Sequence, residues 1–135
     1  MGQGICPCSR FMTISVYLVI WLWFAHWVGD FILQTSEQAK GKSTSNVWLT
    51  LHVVTYTATI ALAAMVWAWN GNRPLAVSFV ALNGILHWLV DYVTSRINAR
   101  LWTAGRVHDF FVGVGADQFT HLATLVLTAW WLLQA

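Results

Sequence analysis

Residues 87–92 read HWLVDY, a stretch that combines two ionisable side chains with apolar ones. His87 and Asp91 are four residues apart in an otherwise apolar segment, and the same pattern occurs earlier as HWVGDF, residues 26–31. Positions four apart lie on one face of an α-helix, so a histidine nitrogen and a carboxylate oxygen can converge on one point. The spacing is therefore typical of metal ligands. Inside a membrane such groups cost several kcal/mol unless they pair or bind something.

The composition predicts an all-α, polytopic membrane protein. The chain has 135 residues, of which 58% are hydrophobic and 9% charged, so it has room for one domain and too few polar residues for a water-soluble surface. Residues 11–29 contain no Lys, Arg, Asp or Glu. The seven basic residues are scattered rather than clustered, which argues against a nucleic-acid partner.

The N-terminus is interpreted as a polar tail, residues 1–10, before a single domain at residues 11–135. Cys6 and Cys8 are the only cysteines, and a disulfide across one intervening residue is strained. Two unpaired thiols are therefore favoured over a Cys-x-Cys metal clip or redox pair. No small-x-small cleavage site follows the apolar run after Arg10, which favours an uncleaved first membrane helix over a signal peptide.

Four apolar segments predict a bundle of four transmembrane helices. They cover residues 11–34, 47–69, 75–97, and from 107 or 108 to the C-terminus. A polar loop at residues 35–46 separates the first two, and the turn NGNRP at residues 70–74 places Pro74 at the start of the third. Gly113 and Gly115 lie early in the fourth segment, which is expected to be kinked there or to run along the membrane interface first.

The distribution of basic residues predicts the orientation of the bundle. The loops after the first and third helices hold five of them, Lys40, Lys42, Arg96, Arg100 and Arg106. The opposite side has only Arg10 and Arg73. The positive-inside rule then places these two loops in the cytoplasm and both termini outside.

Every predicted helix carries histidine or aspartate residues at one depth. The seven are His26, Asp30, His52, His87, Asp91, Asp117 and His121. All lie in the half of the membrane next to the two basic loops. A single histidine would be explained by a hydrogen bond to a neighbouring helix, but seven ionisable groups at one level favour a shared metal or proton site.

Imidazole and carboxylate ligands suit a divalent transition metal such as zinc, manganese, iron or nickel. Seven ligands exceed what one tetrahedral ion needs. Either two ions lie ~3.5–4 Å apart with a bridging aspartate, or one ion is held while the other residues support it and act as a general base. Gln34, Gln118 and Arg96 are candidates for substrate contacts, although Arg96 is equally explained as an anchor at the membrane surface.

The segments HWVGDFILQ (26–34), LHWLVDYVTSRI (86–97) and FFVGVGADQFTH (110–121) resemble a family of small four-helix membrane proteins of unknown function from bacteria and their phages. The resemblance covers residues 24–125. It implies location in the inner membrane of a bacterium or phage host. A looser similarity links the chain to membrane-bound metal-dependent hydrolases, whose helices also carry His/Asp motifs.

Three functions are compatible with this pattern. The first is a metal-dependent hydrolase at the cytoplasmic face that acts on a lipid-linked or phosphorylated substrate, with Asp30 or Asp117 as the general base. The second is a component of a divalent-ion or proton transporter, in which oligomers form the conduit. The third is a non-catalytic phage lysis or exclusion protein stabilised by a structural metal. Membrane lipid is a partner in each case.

Overall fold

The computed structural model describes residues 14–134, and the regular structure of this part of the chain is helical. A π-helical turn, Val28–Ile32, directly follows the first helix. The helices are α1 (Val16–Trp27), α2 (Ser36–Gly41), α3 (Asn46–Trp69), α4 (Arg73–Thr103) and α5 (Val107–Gln134). The predicted polar tail at residues 1–10, with Cys6 and Cys8, lies outside the described residues.

Short turns make α3, α4 and α5 successive antiparallel neighbours. Gly71 adopts φ 86° before α4, where the Asn72 side chain accepts a hydrogen bond from the Leu75 N–H and Pro74 occupies the first turn. Gly105 adopts φ 69° between α4 and α5. Both turns need a left-handed residue, which glycine supplies without a Cβ clash. The boundary at Pro74 and the start of α5 at Val107 agree with the sequence prediction.

Three helices are long and apolar enough to cross a membrane: Asn46–Trp67, Arg73–Thr103 and Val107–Gln134. The first predicted span, residues 11–34, is represented in the described residues by the shorter apolar segment Val16–Ile32. Large apolar side chains point outward along the bundle, among them Ile20, Leu62, Val77, Phe119 and Leu127. A soluble monomer rarely exposes so much contiguous apolar surface, so these features indicate a membrane protein.

The apolar core lies in the half of the bundle away from residues 35–46. Its members are buried side chains from four helices, including Leu22, Tyr56, Ile60, Phe79, Leu125 and Ala129. The half nearer that loop holds the buried polar side chains instead. This division leaves one polar level within an otherwise apolar bundle.

The structure departs from the predicted boundaries in three places. Residues 36–41 of the predicted loop form α2, which begins at a capping box between Thr35 and Gln38. α4 continues to Thr103 rather than ending at residue 97. α5 is one unbroken helix through Gly113 and Gly115. Gly113 packs against the Asn98 side chain, so close helix approach explains this glycine without a kink.

α4 and α5 extend well beyond the start of α3. His52 contacts His87 across the α3–α4 interface. About four turns of α4 follow His87, whereas fewer than two turns of α3 precede His52. The end of α4 and the start of α5 therefore extend beyond the polar level. They lie on one side of the space next to this level, and α2 lies on the other side.

Candidate metal centre

Four buried side chains from three parts of the chain converge in the polar level, and we call them the first ligand group: Asp30, His52, His87 and Asp91. His52 Nε2 lies 3.0 Å from Asp30 Oδ1, 3.2 Å from Asp91 Oδ2 and 3.2 Å from His87 Nε2. His87 Nε2 lies 3.6 Å from Asp30 Oδ1 and 3.7 Å from Asp91 Oδ2. Two imidazole nitrogens and two carboxylate oxygens thus face one point.

These separations fit a tetrahedral ion. Metal–ligand bonds of ~2.0–2.2 Å place the ligand atoms of a tetrahedron about 3.3–3.6 Å apart. The five separations above scatter between 3.0 and 3.7 Å. Asp30 Oδ1 is buried and has no assigned hydrogen-bond partner, although His52 Nε2 lies only 3.0 Å away. A buried carboxylate oxygen without a hydrogen-bond donor is one that a bound cation would satisfy.

A second ligand group adjoins the first and consists of Asp91, Asp117 and His121. His121 Nε2 lies 3.2 Å from Asp91 Oδ1 and 3.3 Å from Asp117 Oδ1. Three protein ligands leave a coordination position open, as catalytic metal sites do. Asp91 contributes Oδ2 to the first group and Oδ1 to the second, so its carboxylate can bridge two ions.

Two of the three i, i+4 motifs place both their histidine and their aspartate in the ligand groups, and helix geometry explains which two. His87 and Asp91 project from one face of the continuous helix α4, and Asp117 and His121 from one face of α5. Asp30 instead lies in the π-helical turn, where Leu33 N–H donates to the Val28 carbonyl five residues back. This turn directs Asp30 towards α3 and α4.

His26 consequently lies beside the ligand groups rather than within them. Its Nε2 is 3.0 Å from Gln118 Oε1 and 3.7 Å from Asp30 Oδ2, and its buried Nδ1 has no hydrogen-bond partner. Gln118 Nε2 donates to Asp30 Oδ2 at 3.0 Å and to Asp117 Oδ2 at 3.1 Å. The His26–Gln118 pair therefore orients the two aspartates from outside.

Further contacts hold the ligands in place. Gln34 Nε2 lies 3.0 Å from His52 Nδ1, and the Thr94 hydroxyl donates to Asp117 Oδ1 at 2.6 Å. The His87 ring is stacked between Tyr56 and His121, with centroid separations of 3.7 and 4.1 Å. Supporting contacts of this kind fix the orientation of metal-binding side chains.

Lys42 reaches the site from the loop after α2. From the sequence, this residue was predicted only to be one of the basic loop residues that orient the bundle. Its Nζ lies 2.9 Å from Asp91 Oδ2 and 4.0 Å from Asp30 Oδ1. Burial lowers the pKa of Lys42, but the carboxylates of Asp91 and Asp30 raise it by more, so the net pKa is above its ordinary value. One ammonium balances only one of the three buried aspartates. A divalent cation would balance the other two.

A cavity of about 600 Å³ opens onto the ligand groups. Its floor includes Asp30, Asp91 and Asp117, and α2 with its following loop contributes Lys40 and Lys42. The overhanging parts of α4 and α5 supply an apolar wall, including Trp102, Phe110, Phe111 and Val114. The volume lies within the range of small-molecule sites, about 300–1,000 Å³.

The three predicted substrate residues differ in position. Gln34 and Gln118 line the cavity. Arg96 lies outside its lining and points to the side of α4 that faces α3. There it donates to the Tyr92 carbonyl and to Asn46 Oδ1, and its guanidinium covers the Tyr92 ring at 3.8 Å. This placement matches the alternative role of Arg96 as an anchor.

Comparison with known proteins identifies a family. Residues 18–135 match the model of a family described as "Protein of unknown function (DUF3307)". The chain belongs to this family. No curated protein and no solved structure shows significant similarity to it. The DUF3307 match extends over both ligand groups and the cavity, so the centre lies entirely within the family domain.

Proposed function

We propose that this DUF3307 protein is a membrane-embedded, metal-dependent hydrolase with two divalent transition-metal ions, zinc, manganese or iron, bridged by Asp91. The observation that carries the proposal is the position of the Asp91 carboxylate. Its two oxygens face two ligand groups, and the residue forms part of the cavity floor. A purely structural metal needs no cavity beside it, and in structural sites the protein fills every coordination position.

The chain would contribute the following to hydrolysis. Bound divalent ions polarise a substrate oxygen and make water a better nucleophile. Asp117 is the most exposed of the three aspartates, at 8% against 3% for Asp30 and 1% for Asp91, and it lines the cavity. We assign Asp30 the role of a ligand and give the two Asp117 oxygens separate roles: Oδ1, beside His121, belongs to the second ligand group, and Oδ2 acts as the general base. Gln118 and Thr94 hold the Asp117 carboxylate in the orientation for proton transfer.

Transport is less well supported, because the polar level does not continue through the bundle. Asn83 is buried one turn from His87, but its amide is occupied by Thr128 Oγ1 and the Phe79 carbonyl. Beyond it the core is closed by Phe79, Ile60 and Leu125, which are fully buried. Ion flux in proteoliposomes that Asp91→Asn abolishes would favour transport instead.

The proposal includes an orientation of the centre in the membrane. The basic loop charges favour the cytoplasmic face of a bacterial inner membrane, in a bacterium or a phage host, with four spans and both termini outside. Membrane lipid surrounds the bundle, and an oligomer is compatible with it. The substrate is expected to reach the cavity from the lipid or from the cytoplasm.

Elemental analysis of the detergent-purified protein tests the metal centre directly. We expect about two ions per chain in the wild type and fewer than one in Asp91→Asn, because the amide removes the bridging negative charge, leaves one group without its Asp91 oxygen and offers the other only a neutral one. Asp109→Asn is the matched control, since Asp109 is exposed and pairs with Arg106. A folded wild-type protein that takes up no zinc, manganese or iron would overturn the proposal.

A further inference from the structure

We infer that the substrate of this centre is a phosphate monoester of a long apolar alcohol. The inference rests on the proposed function, and it is drawn from the charge at the cavity floor and the chemistry of its walls. The charge at the cavity floor selects the anionic end of the substrate, and the apolar walls select its other end, so the inference depends on both.

The loaded centre would be positive. Two divalent ions and the Lys42 ammonium exceed the charge of the three aspartates by two units. Lys40 adds a further ammonium at the cavity, and among the described residues it forms no ion pair. A doubly charged phosphate monoester cancels the two-unit excess at the ions, its oxygens can bind two ions at once, and Lys40 can contact it as well. A neutral ester or amide would leave the positive charge uncompensated in a low-dielectric site.

The cavity wall is apolar and continues onto the outer surface of the bundle. Trp102 and Phe110 contact each other with ring centroids 5.0 Å apart. Phe111, Trp102 and Phe31 line the cavity and are 63%, 58% and 50% exposed, so the same side chains border the cavity and the surroundings. In a membrane those surroundings are lipid. An alkyl chain can therefore lie along this wall while the phosphate reaches the floor.

The hydrolysis balances without a further reactant. A water oxygen forms a bond to phosphorus, and the bond between phosphorus and the alcohol oxygen breaks. The electron pair of the broken bond stays on that oxygen, which takes up a proton, and Asp117 accepts the proton that the water loses. The products are the free alcohol and inorganic phosphate, and no oxidant or reductant is involved.

The test compares two phosphate esters with the metal-loaded protein in phosphatidylcholine liposomes. Dodecyl phosphate represents a lipid source and methyl phosphate a soluble source, and phosphate release is measured for both. We expect dodecyl phosphate to be hydrolysed with a KM at least about tenfold below that of methyl phosphate, as burial of a long chain predicts. Equal KM values would overturn the apolar half of the inference.

Variants separate the two ends of the substrate. Lys40→Gln should raise KM for both esters about tenfold, as expected for one charge-assisted hydrogen bond, while metal content stays at the wild-type level. Trp102→Ala should raise KM for dodecyl phosphate only. Arg100→Gln is the control, because Arg100 is exposed near the end of α4 and lies outside the cavity lining.

The outcome also distinguishes this inference from the proposed function. A protein with two ions that hydrolyses dodecyl acetate but neither phosphate ester would overturn the substrate class and keep the hydrolase. A protein with two ions that neither cleaves dodecyl phosphate nor is inhibited by inorganic phosphate would overturn it as well. A protein without metal would overturn both.

Discussion

His26 and His87 each precede an aspartate by four residues, yet their imidazoles have different surroundings. His87 Nε2 lies in the first ligand group, 3.2 Å from His52 Nε2, whereas His26 Nε2 contacts Gln118. We expect His87→Asn to weaken metal binding by more than about 100-fold, and His26→Asn by about 10–100-fold, as for a residue that supports the ligands. Competition with a chelator measures both affinities. Equal losses would show that His26 is a ligand, as the sequence predicts.

Lys42 is expected to stabilise the metal-free protein. Its ammonium lies 2.9 Å from Asp91 Oδ2, and the Asp91 side chain is almost fully buried. Lys42→Met should lower the free energy of unfolding of the metal-free protein by about 1–3 kcal/mol, less than for a fully buried pair because Lys42 is 16% exposed. Added metal should remove most of this loss, since it supplies the missing charge.

Chemical unfolding in detergent, with and without metal, measures this effect. Lys40→Met is the matched control, because Lys40 also lines the cavity but forms no ion pair among residues 14–134. A metal-free Lys42→Met protein as stable as the wild type would contradict the role of Lys42.

For single residues, the sequence was sufficient to predict which side chains belong to the polar level, but not which atoms each of them contacts. The distances of seven His and Asp residues from the two basic loops were enough to predict that they occupy one level, and the cost of burying ionisable groups favoured a shared site there. Lys42 lies in a polar loop, where a lysine is ordinarily an anchor at the membrane surface. Only the path of the chain after α2 brings its ammonium to Asp91. Arg96 has similar chemistry but faces Tyr92. No spacing rule separates the two residues.

At the scale of single elements, the helices explain why the ligand groups contain both residues of the i, i+4 motifs on α4 and α5. They also explain why these groups contain only Asp30 of the motif formed by His26 and Asp30. A continuous α-helix preserves the relation between spacing and face, and both α4 and α5 are continuous. The first motif spans the junction between α1 and a π-helical turn, and there Asp30 Oδ2 faces His26 while Oδ1 faces His52 and His87. The capping box at Thr35 and Gln38 was a readable signal for α2, which the interpretation as a loop overlooked.

The π-helical turn depends on close contact between Gly29 and α3. A Cβ at Gly29 would lie 3.2 Å from both Tyr56 Cδ2 and Thr59 Cβ, and Tyr56 stacks on His87. We expect Gly29→Val to cost about 1–3 kcal/mol of stability by overpacking and to reduce metal content. Gly115→Val is the control, since a Cβ there meets nothing within 4 Å. Thermal unfolding and elemental analysis measure the two effects, and equal behaviour of the variants would contradict the packing role of Gly29.

For the whole molecule, composition was sufficient to predict an all-helical membrane protein, because a chain with 9% charged residues cannot cover a soluble surface. Composition did not predict the overhang of α4 and α5. The sequence predicts a loop at residues 98–106, but α4 continues to Thr103, and about half of the residues that line the cavity come from the overhanging parts of α4 and α5. The candidate metal centre therefore adjoins a cavity that no single segment of the sequence encodes.

The orientation of the bundle determines which compartment the cavity meets, and it can be tested with single cysteines. In a Cys6→Ser, Cys8→Ser background, Thr44→Cys reports on the loop beside the centre and Asn70→Cys on the opposite turn, and both positions are exposed. The positive-inside rule predicts that a membrane-impermeant maleimide labels only Asn70→Cys in intact spheroplasts. Thr44→Cys should become reactive after permeabilisation. The reverse pattern would place the cavity outside the cytoplasm, and labelling of both cysteines in intact spheroplasts would contradict a membrane-spanning α3.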